Sequence, residues 1–277
     1  MPRDPISYIG AVTLTRLQLA VGSSAVLIEE LPHEGPRRIF AARAPHDPPD
    51  HLSRVVVLHP EPPAGPVAGA LLDRMASIRA VSHPTVVAPL ATGAYDAQAW
   101  VIEPAPAGEL LASRISAGGS LSYQEVIRLL RDLSRALAAL HRRGVHHGAI
   151  SVEAITLTRD GARLNHLGRS VTGSVADDLQ MLGALGRQAL CGDSARQRRL
   201  APATLNALLE ALAEPGSGKR FATADAVLVA LDQFPAGDSA MERGLLGLTG
   251  AGARPAGHGR PAMVLAAVAV VLLVVWF

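Results

Sequence analysis

Lysine, cysteine and aromatic residues are scarce in this chain of 277 residues. Of its 26 basic residues only Lys219 is a lysine, and the others are arginines. The one cysteine, Cys191, has no internal partner for a disulfide, which fits a reducing compartment. Aromatic residues make up 3% of the chain and the formal net charge is +2. Neither a base-stacking platform nor a concentrated basic face is therefore expected, and we expect no nucleic-acid partner.

The N-terminal segment has no continuous apolar core followed by a small-residue cleavage site. We therefore expect no signal peptide. Hydrophobic residues make up 49% of the sequence. That content is sufficient for one large core or for two lobes packed together.

The first part of the chain alternates strand-like runs with turn residues. We predict strands at Ala11–Thr15, Ala25–Ile28, Arg38–Ala42 and Arg54–His59. A helical period follows over Gly65–Val81. Two more strands are predicted at Thr85–Thr92 and Gln98–Glu103, and Pro89 makes the first of them an edge or bulged strand.

The rest of the folded part is predominantly helical. The clearest helix is Ser122–Arg143, where Ser122 and Glu125 form a capping-box pair and Gly144 ends the helix. Further predicted elements are a hairpin of Ala154–Leu157 and Ala162–Leu164 around Asp160-Gly161, and the helices Asp178–Leu190, Pro202–Ala213 and Thr223–Phe234. The expected fold class is α+β, with a β-rich small lobe before a helical large lobe.

The C-terminal end changes character twice. Residues 235–260 are rich in Gly, Ala and Pro, which predicts a flexible linker. Residues 261–277 carry no charge, and 17 residues is the short limit for a membrane-spanning helix. The alternative is a buried terminal helix or strand. Trp276 suits an anchor at the membrane interface. Arg254 and Arg260 precede the apolar run, which predicts that the N-terminal domain stays in the cytoplasm. We therefore expect a tail-anchored, single-pass protein of the cytoplasmic membrane.

Five segments occur along the chain in the order Ser82–Val87, Ala99–Gly108, Leu140–Gly168, Asp177–Gly183 and Lys219–Phe221. Together they resemble, in the same order, segments of the Ser/Thr protein kinase family, including its bacterial members. Leu140–Gly168 resembles the catalytic and metal-binding loops. The other four are Ser82–Val87 after the small-lobe helix, Ala99–Gly108 at the hinge, Asp177–Gly183 at the start of a buried helix, and Lys219–Phe221 before the last helix. The resemblance implies a two-lobed fold with the small lobe at residues 8–103 and the large lobe at residues 104–234.

The residues that would bind ATP in this family are replaced in the small lobe. The three glycine positions of the phosphate-binding loop fall on Pro32, Glu34 and Arg37, and side chains there block a close approach of the backbone. Val56 stands in the place of the lysine, and Arg74 in the place of its glutamate partner. We expect Arg74 to point to solvent, with Asp73 as a weak alternative partner.

The large lobe shows the same replacements. Ala149 stands at the catalytic aspartate and Ala154 at the metal-binding asparagine, and alanine has no side-chain lone pair. His166 replaces the magnesium-binding aspartate, and strand alternation should turn Asn165 away. The segment after Gly168 is short and lacks a recognisable peptide platform. Residues expected to keep structural roles are His147, Gly168, Asp178, which would accept backbone hydrogen bonds from the loop, and Arg220, whose usual partner is missing.

These replacements predict a catalytically inactive pseudokinase that acts as a membrane-tethered regulatory or scaffolding module in signalling, with an unidentified protein partner. Neither ATP nor magnesium is expected to bind. Two alternatives remain. One is a nucleotide sensor that holds adenine through the backbone of Val101, Ile102 and Glu103; the other is an atypical kinase or nucleotidyl-transferring relative that uses Asn165 and His166.

Three weaker patterns have ordinary explanations. His146, His147 and His166 could bind zinc or nickel, but family packing accounts for His147. Gly216–Lys219 resembles part of a phosphate loop, but Arg220 stands where that motif needs Ser or Thr. Thr158, Ser170, Thr172 and Ser174 are candidate phosphoacceptors, as loop hydroxyls often are.

Overall fold

The computed structural model describes residues 14–34, 37–49, 51–58, 67–95, 98–105, 107–167, 172–191, 201–213 and 221–234. Within these ranges the chain is mixed α/β with two antiparallel sheets. It divides into two units. The first comprises residues 1–82, 87–105 and 166–171, and the second comprises residues 83–86, 106–165 and 172–277.

The first unit is built on a five-stranded sheet. Its strands are β1 (Val26–Glu34), β2 (Arg37–Arg43), β3 (Arg54–Leu58), β4 (Ala91–Tyr95) and β5 (Gln98–Pro104), in the order β1-β2-β3-β5-β4. Helix α1 covers residues 14–21 and is followed by a 3-10 turn at Gly22–Ser24, and helix α2 spans Val67–Arg79. Leu17 and Val21 of α1 pack with Phe40, Val56 and Trp100 of the sheet in one apolar core.

Two strand predictions in this unit are wrong. Leu14 and Thr15 lie in α1 rather than in a strand, because Leu17 and Val21 continue a helical spacing that buries one face. The predicted strand Thr85–Thr92 is mostly irregular: Val86 forms a single bridge, and regular pairing begins at Ala91. Pro84 and Pro89 remove backbone donors from this stretch, so a continuous ladder cannot form there.

The second unit combines helices with a small sheet. Its helices are α3 (Leu111–Ser116), α4 (Tyr123–His141), α5 (Val175–Cys191), α6 (Ala203–Ala213) and α7 (Ala224–Leu231). The strands β6 (Glu109–Leu110), β7 (Ile155–Thr158) and β8 (Gly161–Leu164) form an antiparallel sheet in that order, and a 3-10 turn at Val152–Ala154 precedes β7. Strand β6 and helix α3 were not predicted, because two and six residues are too short to show a period.

Helix α4 is the centre of the second unit and packs against α5, α7 and β8. The predicted capping box is confirmed: Ser122 Oγ accepts from Glu125 N, and the Glu125 carboxylate accepts from Ser122 N. The apolar stripe of this helix is fully buried (Val126, Leu130, Leu133, Leu137 and Leu140). The predicted hairpin is also confirmed, since Thr158 pairs with Gly161 across a two-residue turn.

The predicted linker and membrane anchor, residues 235–277, lie outside the described part of the chain. Among the helices that are described, none combines the length and the apolar character needed to cross a membrane. The anchor therefore remains a prediction from the sequence.

Candidate functional site

A buried carboxylate, Asp178, organises the loop that follows helix α4. Its Oδ2 accepts from the backbone N–H of His147 at 2.8 Å, and its Oδ1 accepts from the backbone N–H of Gly148 at 2.7 Å. The imidazole Nε2 of His141 lies 2.8 Å from the same Oδ2. The two backbone hydrogen bonds are those that the sequence predicts for Asp178.

The start of helix α5 places Asp178. Ser174 precedes the helix, and its Oγ accepts from Asp177 N at 3.1 Å and donates to Asp177 Oδ2 at 2.7 Å. Asp178 N donates to Ser174 O in the first turn. Since α5 packs on α4, this turn directs the Asp178 carboxylate towards the end of α4, where His141 lies in the last turn.

The pKa of Asp178 is set by two opposing effects. Its side chain is fully buried, and burial alone would raise the pKa by disfavouring the charged form. The hydrogen bonds from His141, Gly148 and His147 outweigh this effect and hold the pKa of Asp178 below its ordinary value. The carboxylate therefore stays charged, and the backbone N–H groups of the loop stabilise its charge.

The His147 side chain closes the loop from the other side. Its Nε2 lies 2.8 Å from the carbonyl oxygen of Asn165, and its Nδ1 lies 3.2 Å from Ala149 N. A neutral imidazole with its proton on Nε2 satisfies both contacts, because Nε2 then donates and Nδ1 accepts. His147 is completely buried, and its role is to fix the loop between residues 147 and 149.

The loop carries apolar side chains where the resemblance places catalytic ones. Ala149 is half-buried and follows Gly148, whose φ of +70° is a conformation that glycine adopts without strain. Ala154 is buried, and its carbonyl oxygen accepts from both Asn165 N at 2.8 Å and Asn165 Nδ2 at 3.3 Å. Neither side chain can accept a proton or bind a cation.

Asn165 is a structural residue in this arrangement. It is buried, and its Nδ2 also donates to Thr156 Oγ1 at 2.7 Å. Its neighbour His166 has a φ of +62°, which is rare for a residue with a β-carbon. The amide of Asn165 thus joins β7 to the end of β8.

The segment before α5 packs against the loop. A β-carbon placed on Gly173 would lie 2.9 Å from Gly148 Cα and 3.5 Å from His146 Cβ. Gly173 has a φ of +148°, which also favours glycine. The backbone of residues 172–174 therefore touches the loop directly next to Ala149.

The remaining predicted site residues lie in the first unit. Val56 is fully buried in β3, opposite Phe40 of β2 and Ile102 of β5. Arg74, on α2, is half-buried, so the expectation that it points to solvent is wrong. It lies beside the buried face of the helix, because Leu71, three residues before it, and Ile78, four residues after it, are both buried. Asp73 is exposed.

The predicted adenine hinge forms part of the sheet. Val101 and Ile102 pair with β3 on one side and with β4 on the other. The carbonyl oxygen of Ile102 accepts from Leu90 N at 2.7 Å, and Ala105 N donates to Ser53 O at 2.8 Å. Glu103 pairs with Val55 and is buried. Several backbone groups of this stretch are thus already bonded within the unit.

Some predicted residues lie outside the described ranges, namely Gly168, Lys219 and Arg220. Of the three histidines considered for a metal site, His146 has its ring 5.6 Å from the ring of His141 between centroids. Within the described ranges, no group of three or more His, Cys, Asp or Glu side chains is placed to hold a metal ion.

The sequence reasoning missed His141, which binds Asp178 from the last turn of α4. Its side chain is 10% exposed and its Nδ1 is buried without a hydrogen-bond partner. The only signal was its position in the last turn of the helix that leads into the loop. No protein-family model matches the chain, and no curated protein matches it significantly.

Proposed function

We propose that the chain is a catalytically inactive, protein-kinase-like domain that acts as a membrane-tethered regulatory or scaffolding module for a protein partner. The proposal rests on the ordered set of motifs in the sequence and on the geometry of the loop around Asp178. The two-lobed fold that the resemblance implies is part of the proposal, and so is the membrane tether, which rests on residues 261–277.

One observation carries the proposal: the loop keeps its internal support while its reactive positions are apolar. Asp178, His147 and Asn165 connect α5, the loop and β7 by buried hydrogen bonds. Those that involve the charged Asp178 are worth about 1.5–3 kcal/mol each. The reactive positions of this supported backbone are occupied by the half-buried Ala149 and the buried Ala154, whose methyl groups supply neither base nor metal ligand. A surface held in one shape without reactive groups is suited to binding.

The segment before α5 supports the same function. An acceptor hydroxyl would have to approach Ala149, but the backbone at Gly173 lies against Gly148. Phosphoryl transfer depends on positioning and on charge stabilisation rather than on covalent catalysis. The loop therefore offers no side chain that could accept the proton of a hydroxyl group.

The first unit supports the absence of nucleotide transfer. Val56 contributes an apolar side chain to the centre of the sheet, where the resemblance expects an ammonium group. No lysine occurs among the described residues, because the single lysine of the chain is Lys219. Arginine does not substitute for lysine here without a change of geometry, since its guanidinium is larger and planar.

A phosphotransfer assay tests the proposal. The purified full chain is incubated with labelled ATP, with magnesium or manganese, and with a general acceptor protein. We expect no transfer above that of a chain-free blank. Asn165→Ala and His166→Ala serve as matched variants: transfer by the original chain that either substitution abolishes would overturn the proposal and would establish an atypical enzyme.

A further inference from the structure

Helix α4 exposes only a narrow strip, and that strip is rich in arginine. The helix buries residues on most of its circumference. The residues left outside the core include Arg128 and Arg135 of the helix, and Arg142 and Arg143 follow directly after its end at His141. We name these four residues the arginine ridge. The side chains of Arg135 and Arg142 are 57% and 64% exposed.

The arginine ridge lies on the same unit as the end of the described chain. Helix α7 packs on α4, and Arg142 lies 3.5 Å from the Asp225 carboxylate of α7. Arg131 Nη2 donates to the carbonyl oxygens of Leu231 at 2.8 Å and Phe234 at 2.6 Å. Phe234 is the last residue before the predicted linker and anchor. The predicted linker therefore begins directly after a residue whose carbonyl oxygen accepts a hydrogen bond from Arg131 of α4.

Among the described residues, the carboxylates of Asp132 and Asp225 lie within ion-pair distance of the ridge. Asp132 lies 3.6 Å from Arg135, but it is directed inward and accepts from Ala162 N. Asp225 faces Arg142 at the surface. The pKa of His83 is lowered, chiefly by burial and further by the positive charges of Arg135 and Arg142, while Asp132 acts in the opposite direction.

We propose that the arginine ridge binds the phosphate headgroups of anionic phospholipids in the bilayer that holds the tether. Guanidinium groups bind phosphate oxygens in pairs, and each basic residue near an anionic surface strengthens membrane binding by about five-fold. A predicted Gly-rich linker keeps the domain near the bilayer, so a weak affinity per residue is sufficient. The inference rests on the proposed membrane tether for this proximity.

Hydrogen exchange in nanodiscs tests the ridge. The full chain is reconstituted into discs of phosphatidylcholine alone and into discs with about one third phosphatidylglycerol. We expect the amides of α7 and of residues 141–145 to exchange at least about five-fold more slowly in the anionic discs. High salt should remove this protection, since the attraction is electrostatic.

Three variants give the controls. Arg142→Gln with Arg143→Gln should abolish the protection, whereas Arg142→Lys with Arg143→Lys should retain most of it. Arg16→Gln with Arg79→Gln removes the same charge from exposed positions in the first unit and should change nothing. Equal urea midpoints establish that the variants are folded, as is expected for surface changes.

The outcomes separate the ridge from the tether. If the chain inserts stably into neutral discs but anionic lipid gives no additional protection, the proposal that the ridge binds phosphate headgroups is overturned, and the proposed membrane tether stands. Failure to insert, together with protection by anionic vesicles that the glutamine pair abolishes, supports the ridge and overturns the tether. The proposal that the ridge binds headgroups is overturned if Arg142→Gln with Arg143→Gln leaves the protection unchanged. It is also overturned if Arg16→Gln with Arg79→Gln abolishes the protection as well.

Discussion

At the residue scale, two aspartates of the second unit, Asp178 and Asp132, respond in opposite ways to their surroundings. For both, burial is the largest effect and acts to raise the pKa. In Asp178 the hydrogen bonds that the carboxylate accepts outweigh burial, and the pKa is lowered. In Asp132 burial prevails over the hydrogen bond from Ala162 N and the neighbouring positive charges, and the pKa is raised. The charge of Asp178 therefore stabilises the fold, and that of Asp132 opposes it.

Replacing Asp178 should remove much of the support of the loop. Asp178→Asn keeps the shape but loses the charge that accepts three hydrogen bonds, so we expect a loss of about 3 kcal/mol in the free energy of unfolding, measured with urea. Asp177→Asn is the matched control, because Asp177 binds Ser174 in its own turn, where its contacts are exposed. Equal effects of the two substitutions would contradict the supporting role of Asp178.

Asp132→Asn should act in the opposite direction at neutral pH. The amide oxygen can still accept from Ala162 N, while the buried charge disappears, so stability should be equal or higher.

The contributions of the two aspartates to stability also change in opposite directions with pH. Because its folded pKa is lowered, Asp178 stabilises the fold above the unfolded value of about 3.9, and this stabilisation is lost as the pH falls through the folded pKa.

The raised folded pKa of Asp132 gives the reverse dependence. Its unfavourable contribution is complete above the folded pKa and disappears as the pH falls from that value towards about 3.9. Urea unfolding of the two variants between about pH 3 and pH 7 checks both signs. A loss of stability in Asp132→Asn that persists at the lowest pH would show that its charge is not the cause.

The contacts of Asp178 with the loop could be predicted from the sequence, whereas the contact with His141 could not. The loop contacts belong to a motif that the sequence still displays around His147 and Asp178. His141 lies 37 residues before Asp178, and a histidine in the last turn of a helix is usually explained by the helix dipole. Only the packing of α5 on α4 brings the two side chains together.

At the element scale, the crossing of α5 and α6 depends on two glycines of α5. A β-carbon on Gly183 would lie 2.5 Å from Leu212 Cβ and 2.7 Å from Ala213 N of α6. On Gly186 it would lie 2.5 Å from Leu209 Cδ2. The absence of these side chains lets the two helices approach closely, which general helix propensity alone would not favour.

Alanine at Gly183 should therefore destabilise the protein although it favours a helix. We expect a loss of about 2 kcal/mol in urea unfolding, because overpacking exceeds the gain in propensity. Gly69→Ala in α2 is the matched control, since its β-carbon would meet nothing within 4 Å. That variant should be stabilised by up to about 1 kcal/mol. An increase in stability for both variants would contradict the close crossing.

The elements that were predictable are the long and periodic ones. Helix α4 shows both its capping box and its apolar stripe in the sequence. The Asp160-Gly161 pair marks the β7–β8 hairpin, but the turn residues are Arg159 and Asp160, and Gly161 pairs with Thr158 as the first residue of β8. Helix α1 was mistaken for a strand because Thr13 and Thr15 give this stretch β-branched character, and the buried spacing becomes clear only at Leu17 and Val21. The burial of Leu17 and Val21 in the core favours the helical conformation of this segment over a strand.

At the scale of the whole molecule, the mixed α/β composition and a division near residue 105 were predictable. The change from strand-like to helical periodicity carries that information in the sequence. His83–Val86 was not assigned to the second unit beforehand. It belongs there because Leu164 N donates to Thr85 O at 2.7 Å, a contact between residues that are far apart in the chain.

The central claim is that the domain neither binds nor transfers a nucleotide. The most direct test is the thermal stability of the purified full chain with and without ATP, each with and without magnesium. A ligand at about a hundred times its Kd stabilises the folded state by about 2.7 kcal/mol, which raises Tm by several degrees. We predict no shift in Tm at millimolar ATP. A shift that requires magnesium would contradict the account, and a shift without magnesium would establish a nucleotide sensor instead.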